Sequence, residues 1–92
     1  MKKVIYEGRD KGLYNAVNFR KFLQTLDGAQ NVASRNGMGE TFFIYYLDSH
    51  NVTLRYTTEG SERMVSVNIT LFGSEQSIGE IEKIILEAET NK

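Results

Sequence analysis

The chain has 92 residues and a mass of 10.5 kDa, enough for one domain spanning 1–92 and too little for two. With 11 Lys and Arg against 12 Asp and Glu it is neither a histone-like polycation nor an extreme acidic mimic of DNA. Zero Cys and a single His exclude disulfides, thiol chemistry and multi-histidine metal sites within one chain, so no cofactor and no metal are expected.

Residues 2–7 predict a short first strand, closed by Gly8 and the turn-like Asp10-Lys11-Gly12. Its apolar run, Val4-Ile5-Tyr6, meets Glu7 too soon for the roughly 7–15-residue core of a secretory signal. No stretch nears the roughly 20 apolar residues of a membrane span. Together with the lack of Cys, this sets a cytoplasmic location and no membrane partner as the expectation.

From about Leu13 to Asp27 the spacing predicts a helix, with Ala16, Phe19, Phe22, Leu23 and Leu26 on one arc. Asp10 or Asn15 would cap its start, and Gly28 would supply the left-handed residue that ends it. Residues 28–40 read either as the longest loop or as a segment in which Asn31 to Ser34 open a strand and Asn36-Gly37 turns.

Three strands follow. Thr41 to Asp48 is apolar on both parities, Phe42, Ile44 and Tyr46 against Phe43, Tyr45 and Leu47, so it is covered on both sides or sticky on one. Val52, Leu54 and Tyr56 alternate with Thr53, Arg55 and Thr57. After the turn Glu59-Gly60-Ser61-Glu62, Val65, Val67, Ile69 and Leu71 alternate with polar residues and Met64. The last element is a helix predicted to start on a capping box, Ser77-Ile78-Gly79-Glu80, with Ser77 as N-cap. Ile78, Ile81, Ile84, Ile85 and Ala88 form its apolar stripe.

The expected architecture is therefore α+β, a two-layer sandwich in β-α-β-β-β-α order. Its sheet is an antiparallel meander with two helices packed on one face. The α-β-β-β-α part has the element order of double-stranded RNA-binding domains. Those open their second helix with lysines, where this chain has Ser77, Glu80 and Glu82, so the likeness is one of order alone.

No catalytic set emerges. His50 sits in a turn beside Asp48 and Ser49, where adjacent side chains diverge instead of forming a triad. Glu80, Glu82, Glu87 and Glu89 read as a solubilising helix face. Gly37-Met38-Gly39 precedes a strand, not the helix that a phosphate-cradling loop requires. The protein is not expected to be an enzyme.

Charge distribution says more. Residues 1–39 hold seven bases and three acids, net +4, whereas residues 40–92 hold four bases and nine acids, net −5. Two partner-binding surfaces are expected. One is the back of the first helix, where Tyr14, Val17, Arg20 and Lys21 combine apolar groups with cations, joined by Arg35 from the basic half. The other is a sheet face on which Phe43 and Tyr45 share a side with Arg55. Reversing the charges of Arg20 and Lys21 should then weaken binding and spare stability.

These features lead to a small non-enzymatic binding module acting through protein–protein contact, with a homodimer as one form of it. An inhibitor or regulator of a larger macromolecule is the expected role, of the kind phage and mobile elements direct at host defence. The alternative is a nucleic-acid-binding accessory domain that uses the basic N-terminal half.

Overall fold

The computed structural model describes residues 1–37, 40–61 and 64–91. Its elements are β1 (Lys2–Arg9), a 3-10 turn (Gly12–Tyr14), α1 (Ala16–Gln24), β2 (Ala29–Gly37), β3 (Glu40–Leu47), β4 (Val52–Ser61), β5 (Met64–Phe72) and α2 (Glu75–Thr90). The five strands form one antiparallel sheet in the order β1-β5-β4-β3-β2. The α+β architecture thus matches expectation, with one more strand than predicted.

The extra strand is β2, in the segment read as a loop or as the opening of a strand. Its sequence, Ala-Gln-Asn-Val-Ala-Ser-Arg-Asn-Gly, lacks the β-branched alternation that marks a half-buried strand. Backbone pairing to β3 holds it, from Ala29 opposite Leu47 to Gly37 opposite Glu40. Asn36 and Gly37 are therefore paired residues, not the turn; Met38 and Gly39, which follow, lie outside the described residues. Four strands between the helices also remove the likeness of element order to double-stranded RNA-binding domains.

β1 runs on through Gly8 to Arg9 because β5 supplies partners for its last residues, Gly8 opposite Val67 and Arg9 opposite Ser66. α1 is shorter than predicted. Asn15 is its N-cap, its side chain accepting from the amides of Val17 and Asn18 at 3.0 and 3.4 Å. Leu13 and Tyr14 belong to the preceding 3-10 turn. Gly28 does adopt φ +76°, but four residues past Gln24, where it closes the turn into β2.

α2 begins three residues earlier than predicted, at Glu75. Ser74 is the N-cap, accepting from the Ser77 amide at 3.1 Å, so Ser77 occupies the position assigned to the capping glutamate. Gly73 and Ser74 follow β5 directly, and the Gly73 amide donates to the Met1 carbonyl at 3.0 Å. The early start adds Glu75 to the first turn, where the helix dipole favours an acid.

Both helices lie on one face of the sheet, called the inner face below. Phe19 and Leu23 of α1 and Ile78, Ile81 and Ile85 of α2 are buried there with Val52, Leu54 and Tyr56 of β4 and Val67, Ile69 and Leu71 of β5. β3 contributes Phe43, Tyr45 and Leu47 to this core, the parity predicted for the other face. The register decides it, since Phe43 lies opposite Tyr56, Tyr45 opposite Leu54 and Leu47 opposite Val52. The clean alternation of β4 selects which side is buried, and β3 follows its neighbour.

Candidate partner-binding surface

The register defines the opposite, outer face as rows of side chains crossing all five strands. One row runs Lys2, Phe72, Thr53, Tyr46, Gln30. The next runs Val4, Thr70, Arg55, Ile44, Ala33, and a third runs Glu7, Asn68, Thr57, Phe42, Arg35. Both helices lie on the inner side, leaving this face without a helical cover. Val4 is exposed, whereas Phe42, Ile44, Tyr46 and Phe72 are half-buried with their neighbours on the strands.

Arg55 lies at the centre of that face. Its guanidinium carbon sits 5.3 Å from the centroid of the Phe72 ring, a cation–π contact. Its Nε is covered yet has no hydrogen-bond partner. Beside it the fully buried Thr70 hydroxyl donates to Asn68 Oδ1 at 2.8 Å. The result is an apolar and aromatic patch with one half-buried cation at its middle. Its other charges stand at the margins: Lys2, Glu7 and Arg9 on β1, Arg35 on β2, and Glu40 and Glu59 toward one end.

The eight residues expected to bind a partner fall in three places. Tyr14, Phe43 and Tyr45 are core residues, 7%, 0% and 3% exposed, and offer no contact surface. Tyr14 stacks on Tyr6 with ring centroids 3.7 Å apart; its hydroxyl donates to Glu89 at 2.7 Å, and its carbonyl accepts from the Tyr56 hydroxyl at 2.7 Å. Burial, then the bond to Glu89, pushes the Tyr14 phenol well above its ordinary value. Burial, then the charge of Asp10, does the same to Tyr56.

On α1, Val17 and Lys21 are exposed as expected. Arg20 turns sideways onto the sheet, donating to Ser34 Oγ at 3.1 Å and lying 5.1 Å from the Phe43 ring centroid. It brackets α1 to β2 instead of reaching outward. Arg35 and Arg55 stand on the outer face, Arg55 without the Phe43 and Tyr45 neighbours predicted for it. The apolar members that sequence reasoning missed are Val4, Phe42, Ile44, Tyr46 and Phe72. The signal for three of them was present in the double-sided apolar pattern of β3.

The α2 acids do not form one uniform solvated face. Glu82 pairs with Lys3 at 2.8 Å, Glu89 holds Tyr14, and Glu80 lies 3.4 Å from His50 Nε2. The Glu80 contact ties the β3–β4 turn to the first half of α2, while His50 Nδ1 lies 2.9 Å from its neighbour Ser49 Oγ within the turn. Among the described residues no three His, Asp or Glu side chains gather as a metal site would require. Nor is any helix among them long and apolar enough to cross a membrane.

Two open clefts lie at the end of the sheet away from the β3–β4 turn. One, of about 530 Å³, is bordered by Arg9, Asp10, Glu59, Gly60 and Met64; the other, of about 230 Å³, by Arg35, Glu40, Phe42, Thr57 and Glu59. The second is continuous with the outer face through Phe42, Thr57 and Arg35. No family model, curated protein or solved structure matches the chain.

Proposed function

We propose that the protein is a non-enzymatic binding module that acts by protein–protein contact through the outer face of its sheet. The observation that carries this reading is the apolar and aromatic patch around Arg55, whose Nε is desolvated without an acceptor. Aromatic residues and Arg at the centre with charges at the rim are the composition of protein interfaces. A domain of this size that docks through one face acts by occupying its partner's surface, as an inhibitor or regulator does.

The nucleic-acid alternative ranks second. The outer face mixes the cations Lys2, Arg9, Arg35 and Arg55 with the anions Glu7, Glu40 and Glu59. A phosphate-tracking surface would gather one sign of charge.

The test is affinity purification with the intact chain as bait, with and without nuclease, followed by mass spectrometry that also counts untagged copies of the chain. Ile44→Glu should abolish recovery of the partner, Lys21→Glu should retain it, and nuclease should leave both results unchanged. A partner that survives Ile44→Glu, or that nuclease removes, would overturn the proposal.

A further inference from the structure

We infer that the partner seated on the outer face is a different protein, one that brings an Asp or Glu carboxylate, set among apolar side chains, onto Arg55. This deepens the proposed function: it rests on the outer face being the docking surface and names the chemistry of what docks there. The first support is where the charges lie. Arg55 is flanked by Thr70 and Ile44 across the strands and by Thr53 and Thr57 along its own. The acids of the face, Glu7, Glu40 and Glu59, stand toward one end. Glu59, four residues along the same strand, is about 13 Å away at about 3.3 Å per residue. Arg55 leans the other way, onto the ring of Phe72, which pairs with Thr53. Its Nε is covered without an acceptor, and the ion pairs among the described residues, Lys3–Glu82 and His50–Glu80, do not include it. The sheet thus holds a guanidinium in the middle of an apolar face with no carboxylate of its own beside it.

The second support is what covering the face would do. A wholly apolar partner would bury the Arg55 charge unpaired, which is costly. A carboxylate at that point replaces the cost with charge-assisted hydrogen bonds. Phe42, Ile44, Tyr46 and Phe72 around it would keep water from the pair, the setting in which an Arg contributes most to binding. Two nearby hydroxyls are already committed within the chain, Tyr46 donating to Asn51 Oδ1 at 2.8 Å and Thr70 to Asn68 Oδ1 at 2.8 Å. The guanidinium is the charged group left to be matched.

The third is that other occupants do not supply the match. Arg55 lies at the centre of the face, so a two-fold axis in the interface through that centre sets Arg55 against Arg55 of a second copy. A like charge arrives there and no acceptor. A phosphate backbone crossing the face would meet Glu7, Glu40 and Glu59 as well as the cation. A single carboxylate in an apolar setting meets Arg55 alone.

The probe is a phage-displayed library of random peptides of about 16 residues, long enough for a helix of about 24 Å. It is selected on the immobilised full chain and counter-selected on the Ile44→Glu chain. The expected peptides carry one Asp or Glu among apolar and aromatic residues. Replacing that acid by its amide should weaken binding to the wild-type chain at least about ten-fold. Arg55→Gln should weaken it about equally, and the two changes together should cost no more than about three-fold beyond either alone. The peptide change needs no altered protein, so it reads the pairing whatever the melt of Arg55→Gln shows. Ile44-dependent peptides that bind equally well with the amide, or losses that multiply in the combined variant, would overturn the carboxylate and leave the docking surface standing. A random single-stranded DNA pool retained by the wild-type chain and released by Arg55→Gln would overturn it in favour of phosphate. A concentration-dependent dimer in sedimentation that Ile44→Glu dissolves would overturn it in favour of a second copy. A library with no Ile44-dependent peptide would overturn both the inference and the docking surface.

Discussion

The two faces of one sheet are built from alternate residues of the same strands, yet they have opposite fates. Phe42 and Phe43 are neighbours in β3. Phe43 is fully buried, stacked on Tyr56 with ring centroids 4.4 Å apart and edge-on to Tyr45 at 5.6 Å. Phe42 lies half-buried on the other side, opposite Thr57 and Arg35. The difference comes from what covers each face. Two amphipathic helices close the inner one, while the outer one keeps its aromatic groups, with threonines between them and charges mostly at its margins. Apolar content alone therefore does not mark a core residue in this chain; the parity of its cross-strand partner does.

The largest expected effect comes from placing a charge on either side of that divide. Val67→Asp puts an unpaired carboxylate at a fully buried inner position and should abolish folding, seen as loss of the cooperative melt. Asn68→Asp, one residue later on the outer face, should fold and melt within about 1 kcal/mol of wild type. Equal behaviour of the two would break the inner–outer distinction. Removing an aromatic ring sharpens it further. Phe43→Ala should cost about 3–5 kcal/mol in denaturant unfolding, whereas Phe42→Ala should cost under about 1.5 kcal/mol. A loss at Phe42 as large as that at Phe43 would show the outer face to be part of the folding core.

The same contrast explains which features were legible in the sequence. The two helices, β4 and β5 announce themselves because each has one covered side, and so a single clean period. β2 stayed hidden because it is an edge strand built of Asn, Gln, Ser and Ala, held by backbone pairing that leaves no hydrophobic pattern. β3 was visible as a strand but not in its facing, since both of its parities are apolar. Its facing was nonetheless implied by the turn Asp48–Asn51, where Asn51 takes φ +53°. With Leu47 and Val52 flanking that turn, counting back sets Phe43 opposite Tyr56. Arg35 and Arg55 of the outer face were found because cations stand out. Phe42, Ile44, Tyr46 and Phe72 were missed because an apolar residue on a strand is ordinarily assigned to the core. The start of α2 was misplaced for a different reason. Ser74 and Ser77 are both competent caps, and the geometry of the chain leaving β5 chooses the earlier one.

A smaller effect concerns the polar lining of the inner face. Tyr56→Phe removes the hydroxyl that donates to the Tyr14 carbonyl and should cost about 1–2 kcal/mol at neutral pH. The pH dependence follows from the same groups. Tyr6, Tyr14 and Tyr56 are all held above the ordinary phenol value of 10.0, so the folded chain keeps protons that the unfolded chain releases. Their contribution is fully present below pH 10 and is lost as pH rises above it. Melts taken across that range should show wild-type stability falling, and Tyr56→Phe falling less steeply. Parallel slopes would show that this tyrosine does not carry the dependence.

The smallest effect separates two adjacent cations of α1 that looked equivalent in the sequence. Arg20 is pinned to Ser34 and the Phe43 ring, so Arg20→Glu should lose about 1 kcal/mol through the broken bracket between α1 and β2. Lys21 faces solvent, and Lys21→Glu should stay within about 0.5 kcal/mol of wild type. The expectation that both reversals spare stability is thereby restricted to Lys21. If the outer face alone docks the partner, Lys21→Glu also leaves binding intact. Lost binding in a Lys21→Glu chain with a normal melt would instead move the docking surface to the back of α1, where Val17 is exposed beside it. That single variant thus weighs the helical side of the molecule against its open sheet.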